Sequence, residues 1–445
     1  MARRTSVLVL AIALFTVAGS AALRAGSRTT AQAAPQGPRF ERVLALDPGV
    51  GVFAYSRISP DGRYLAYAAE TREGRRNALV RTITVVDLSD GRVLFTEPGI
   101  DAYFSPDGRR MIYFSAEGRS NVTIRHHDTG ELVRDVAPTN LGDYYSWGLR
   151  DGRNLILTIN SRFYYLDGDK AVLPAGTVPS CEGHGRGDRP LLSRDGMRIT
   201  TFVRGNVVVR SLTDCDFILN TGIPGQKADF SWDGRHVAFH VQKSSGRGYE
   251  IQVVDTQERT VRTVTSFSGS SLFPSWTRDG RLSFRYDGED YRGFMMASNV
   301  LSAPARPLPT SPRQLPDERT WDDVFPETER AHATSVVLVW GPWSAHSPDA
   351  LAELVRAGRY FRESSLDVGV MHAVEPGSLR GDAADLIDRY GIRLPEIPLA
   401  PERFLLSGAH NQNPTTLLFR SGRLIDLRMG AQTFEQLRDW VLAAQ

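Results

Sequence analysis

A short phrase recurs six times in the first two thirds of this chain. Ser59-Pro60-Asp61-Gly62-Arg63 returns as Ser105-Pro106-Asp107-Gly108-Arg109, then in looser form around Asp151, Asp195, Asp233 and Asp279. Successive aspartates are 46, 44, 44, 38 and 46 residues apart. A repeat of this size constrains the fold more than any other feature, because it marks a solenoid, a propeller or an array. The phrase is a turn. Pro suits its first central position, Asp can bond the backbone two residues on, and Gly supplies the positive φ that closes it. The segments that follow, such as Tyr64-Leu65-Ala66-Tyr67 and His236-Val237-Ala238-Phe239, are rich in β-branched and aromatic residues, as strands are. Each copy therefore reads as a hairpin with room for two more strands. Four strands in about 40–45 residues is one propeller blade, and six turns predict six blades. The six aspartates are read as turn formers, not as acids or metal ligands.

The fifth repeat is the clearest. Lys227 to Ser231, His236 to Val241, Tyr249 to Val254 and Thr260 to Val264 are its four expected strands. The third strand ends in Asp255, as it ends in Asp87 and Asp128 in the first two repeats. The sixth repeat has no clear fourth strand. Phe40 to Leu46 reads as a strand without a blade of its own, and is expected to complete the last blade and close the circle. Closure removes the unpaired edges that an open ring would leave.

The turn phrase, the strand after it and the strand ending in Asp resemble the TolB-type β-propeller repeat over about residues 40–300. That resemblance implies a fold and leaves the function open. The copies at Asp151, Asp195, Asp233 and Asp279 lack the Pro and match it less well.

The pattern changes after a Pro-rich stretch. Residues 303–333 are expected to be a linker, semi-extended because of its prolines. From Thr334 strands and helices alternate: Ser335 to Trp340, a helix from Pro348 to Phe361, Leu366 to Ala373, and a helix from Ser378 to Tyr390. A hairpin follows across Ser421-Gly422, then a helix from Phe434 to Ala443. This predicts an α/β unit over residues 334–445, with helices covering a sheet. The stretch from Val339 through Trp343 to Ser347, the segment Asn413-Pro414-Thr415 and the turn at Gly422-Arg423 resemble the thioredoxin-like fold, in its exported TlpA-like branch. The resemblance places the family's Cys-x-x-Cys pair at Ser344 and Ser347 and its cis proline at Pro414. A serine hydroxyl cannot form a disulfide and is a weak nucleophile without a base, so dithiol chemistry at this position is excluded. Ser344 and His346 lie two apart at a helix start and do not face each other. Ser344 or Ser347 reads instead as a helix cap, with Pro348 just inside the helix. Trp343, Ser344, His346, Ser347 and Pro414 are the candidate surface for holding an extended peptide.

Composition adds little about partners. The chain of 445 residues carries a formal net charge of +2, and it has no basic run of the kind that binds nucleic acid. Arg3 and Arg4 precede an apolar run from Val7 to Ala22, with Ala31-Gln32-Ala33 as a cleavage site, so residues 1–33 read as a signal peptide. The run is short for a membrane span, and no cysteine follows the cut to carry a lipid. The mature chain is expected to be periplasmic or secreted and soluble. Two cysteines exist, Cys181 and Cys215. In an oxidising compartment they form a candidate disulfide, but loops at opposite ends of a blade would hold them too far apart, and both readings stay open. Nothing points to a metal or a cofactor. The expectation is an all-β six-bladed propeller (residues 34–302) followed by a redox-inactive thioredoxin-like domain. Its role would be a non-catalytic scaffold binding a protein or peptide partner in the cell envelope. The alternative is an enzyme: a thiol-disulfide oxidoreductase relative using Cys181 and Cys215, or a catalyst in the propeller channel.

Overall fold

The computed structural model describes residues 37–46, 51–73, 78–99, 102–114, 122–136, 145–150, 153–158, 162–167, 171–177, 191–203, 206–212, 218–309, 318–342, 344, 347–376, 378, 380–409 and 414–444. Residues 1–33, Cys181 and Cys215 lie outside them, as do Asp151, Trp343 and His346. Among the described residues no helix is long and apolar enough to cross a membrane.

The chain is mostly β. Among the described residues six antiparallel sheets follow one another in sequence, and in each of the first five the first four strands form a meander of consecutive strands. The innermost strands are Gly51–Ile58, Ala102–Phe104, Tyr145–Arg150, Leu191–Leu192, Gly225–Phe230 and Ser270–Trp276. Each touches the next, and the last touches the first. The sheets thus form a closed, propeller-like ring around an axis lined by their first strands. The sixth sheet takes its outer strand from the other end of the chain. Arg39–Ala45 pairs antiparallel with Arg292–Ser298, placing Phe40 opposite Ala297 and Glu41 opposite Met296. Phe40 then meets Phe267 edge-on at 4.8 Å and Phe284 at 6.2 Å. This is the expected clasp, and it explains why the sixth repeat lacks a fourth strand of its own.

The turns carry a shared hydrogen-bond pattern. The hydroxyls of Ser59, Ser105, Ser193, Ser231 and Thr277 each donate to Oδ1 of the following Asp at 2.5 Å. In the four serine copies that oxygen also accepts the backbone N–H two residues on, at 3.0 Å. Gly234 sits at φ 66° and Gly280 at φ 82°, where a side chain would be strained. The arginine after the turn has its own role in two copies. Arg63 donates to Asp87 at 2.7 Å, and Arg235 donates to Asp255 at 2.6 Å. Each pair ties the start of the second strand to the end of the third. Burial pushes the Asp255 carboxyl up, but hydrogen bonds from Arg235 and from backbone N–H groups outweigh it and hold it at about 2.

The stretch expected to be a linker is partly ordered structure. Ala305–Pro307 adds a fifth strand to the fifth sheet, with Val261 opposite Arg306. Proline lacks an N–H and is tolerated on such an outer edge. Further on, Thr320 caps a short helix, Trp321–Val324, through a capping box with Asp323. Trp321 is buried against Phe325 and Phe419, and its backbone N–H donates to the Gly422 carbonyl at 2.7 Å. The end of the expected linker therefore belongs to the core of the C-terminal unit.

That unit has a four-stranded sheet. Thr334–Trp340 pairs parallel with Val368–Val374 and antiparallel with Thr415–Arg420, which pairs in turn with Arg423–Met429. All seven residues of Thr334–Trp340 are buried, as a strand covered on both faces requires. Alternate residues face opposite ways. Val336, Leu338 and Trp340 pack with the helices Ser347–Glu363, Arg380–Arg389 and Phe434–Ala443. Val337 and Val339 pack with Trp321, Val324 and Phe404 of the helices Trp321–Val324 and Pro401–Ser407. The hairpin turn has Ser421 at φ 48° and Gly422 at φ 83°, the two positive values a two-residue type I′ turn needs.

Candidate functional site

Three of the five expected C-terminal site residues are described. Ser347 is fully buried, and its hydroxyl donates to the Gly341 carbonyl at 2.9 Å. It is the first residue of its helix, so its hydroxyl turns back into the preceding loop. Ser344 is also buried; its N–H donates to the Gly341 carbonyl at 3.0 Å, and its carbonyl accepts from Ser347 at 3.1 Å. Pro414 is buried, and its carbonyl accepts from Gly430 at 2.8 Å. The hairpin thus uses the Pro414 carbonyl internally. Two residues into the helix, Asp349 accepts a hydrogen bond from Arg81 of the first sheet at 3.1 Å. The start of this helix therefore docks on the ring. A cleft of about 1090 Å³ opens between the two parts, with Arg247 and Glu289 on the ring side and Glu375 and Glu396 opposite. Below it, Trp340 Nε1 donates to His372 Nδ1 at 3.2 Å, and burial lowers the imidazole to about 4. His372 is thus held neutral as an acceptor.

A second group of side chains lies at the axis of the ring. The residue just before each turn aspartate is Pro60, Pro106, Arg150, Arg194, Trp232 and Arg278 in turn. The copies that lost the proline are those that carry arginine or tryptophan there. Five of these positions, Pro60, Pro106, Arg194, Trp232 and Arg278, converge. The Arg278 N–H donates to the Pro60 carbonyl at 2.7 Å, and its guanidinium donates to the Pro106 carbonyl at 3.2 Å. The same guanidinium lies 4.6 Å over the Trp232 ring, and that of Arg194 lies 5.7 Å from it.

Beneath them sits a buried charge cluster. Asp229 is 2% exposed. It accepts from Arg194 at 3.2 Å to each carboxylate oxygen and from the Trp276 N–H at 2.8 Å. Arg57 stands 4.0 Å away, its guanidinium 4.8 Å over Tyr103. Five of the six sheets contribute to this cluster, which surrounds a cavity of about 10 Å³. Arg194, Trp232 and Arg278 were not singled out from the sequence. The signal was present: a turn position free to be proline in two copies is replaced by arginine or tryptophan in the other four. Among the described residues no three histidine, cysteine or acidic side chains gather as a metal site.

No family model matches the chain, and no curated protein matches it. Solved structures show a weak likeness. Hydrazine synthase of Kuenenia stuttgartiensis is 13% identical at a TM-score of 0.36, over 55% of this chain and 78% of that one. An oligogalacturonate lyase in complex with manganese is 12% identical at 0.37, over 61% and 84%. The β-propeller domain of Cps50 (Swd1) from Myceliophteria thermophila is 11% identical at 0.36, over 58% and 99%. At these values the likeness says nothing of what this chain binds or does.

Proposed function

We propose that this chain is an exported, non-catalytic binding protein. It joins a six-bladed propeller to a thioredoxin-like domain without a cysteine pair, and its partner is a protein or peptide of the cell envelope. Six sheets joined by contacts between their first strands support the blade count. The parallel strand pair extended by an antiparallel hairpin, with helices on both faces, supports the second domain. The basic, apolar start of the chain supports export. Arginine and tryptophan at the mouth of the ring support binding, since these residues dominate interface energetics.

The observation that carries the non-catalytic reading is the state of Ser344 and Ser347. Both are buried, and the Ser347 hydroxyl is hydrogen-bonded to a backbone carbonyl. The expected result is that the purified full chain does not accelerate the reduction of insulin disulfides by dithiothreitol. Catalysis by the wild-type chain would overturn the reading.

A further inference from the structure

The axial cavity is lined by residues whose side chains carry donors without acceptors. Trp232 Nε1 and Arg194 Nε are buried and have no hydrogen-bond partner among the described residues. Indole and guanidinium nitrogens only donate, so no reorientation can satisfy them from one another. A buried donor without an acceptor is costly, and two on side chains around one space call for an oxygen there. The local charge points the same way. Arg194 shares Asp229 with Arg57, and Arg278 has no carboxylate partner among the described residues.

We propose that the mouth of the ring is a recognition site for a carboxylate group. A space of about 10 Å³ holds roughly one oxygen-sized atom. One carboxylate oxygen enters it and accepts from the orphaned N–H groups. The other stays in the mouth, where the Arg278 guanidinium beside the Trp232 ring reaches it. Guanidinium and carboxylate match as planar partners. The choice of carboxylate over phosphate follows from charge: Asp229 together with the turn aspartates repels a second negative charge.

The inference extends the proposed binding role and is independent of the thiol assay, so the two can fail separately. Calorimetric titration of the full chain tests it with three probes: N-acetylglycine, N-acetylglycinamide and inorganic phosphate. N-acetylglycine should bind one to one, and its amide roughly tenfold more weakly or not at all, because a charge-assisted pair is lost. Arg278→Gln changes an exposed side chain, and Trp232→Phe keeps a ring while removing the orphaned N–H; each should weaken the acid by roughly tenfold. Equal binding of acid and amide would overturn the proposal, leaving a site for water. So would tighter binding of phosphate, no saturable binding of the acid, or unchanged affinity in both variants.

Discussion

Replacing Asp229 with alanine is expected to destabilise the ring by about 3–5 kcal/mol, the range seen when one partner of a buried ion pair is removed. Arg194 and Arg57 would keep their charges in the interior with no carboxylate between them. The Trp276 N–H would lose its acceptor as well. Because the cluster draws on side chains from several sheets, the loss falls on the axis of the ring and not on one hairpin. Asp229→Asn separates the effects. Its amide oxygen can still accept from Trp276, so the backbone bond survives while the charge is lost, and its cost should be smaller. Urea denaturation followed by far-ultraviolet circular dichroism measures both. A cost below about 1 kcal/mol for the alanine variant, the net worth of a typical single hydrogen bond, would mean that the cluster does not hold the axis.

Removing residues 37–46 from the chain should have a larger and less graded effect. Arg292–Ser298 would become an edge, exposing backbone donors and acceptors next to the buried Phe294, Met296 and Ala297. Such an edge is a template for pairing with another chain. The shortened protein is expected to lose its sharp melting transition and to elute as aggregate in size-exclusion chromatography with light scattering. Phe40→Ala keeps the strand pairing and removes only the ring packed on Phe267 and Phe284. It should cost about 1–3 kcal/mol and leave a monodisperse protein. A truncated chain that melts and elutes like the full one would show that the clasp is dispensable.

Features with local causes were legible in the sequence. The hairpin at Ser421-Gly422 followed from a short polar turn between two apolar runs. The clasp was legible because two anomalies matched: an early strand without a blade and a last blade without its fourth strand. The strand at Ala305–Pro307 was hidden by its prolines, which look like a linker unless the strand is known to lie on an edge. The Arg63–Asp87 and Arg235–Asp255 pairs join residues 24 and 20 apart. Both members recur with the repeat, but their meeting depends on strand register. The axial site was hidden for a different reason. A turn phrase states its own geometry, whereas the direction of its second residue depends on closing a ring from residues more than 200 apart. Pro60 and Arg278 meet across such a gap.

The binding role is tested most directly by placing a photo-crosslinking amino acid at Met197 and, separately, at Val93. Met197 is exposed directly after the Ser193–Gly196 turn beside the mouth, and Val93 is exposed on the outermost strand of the first sheet. Irradiation of cells producing each full-length variant should give a discrete adduct with a partner protein from Met197 and none from Val93. The Met197 adduct should fade when Arg278→Gln is added. Adducts from Val93 alone, or none from Met197, would contradict a partner bound at the turn face of the ring.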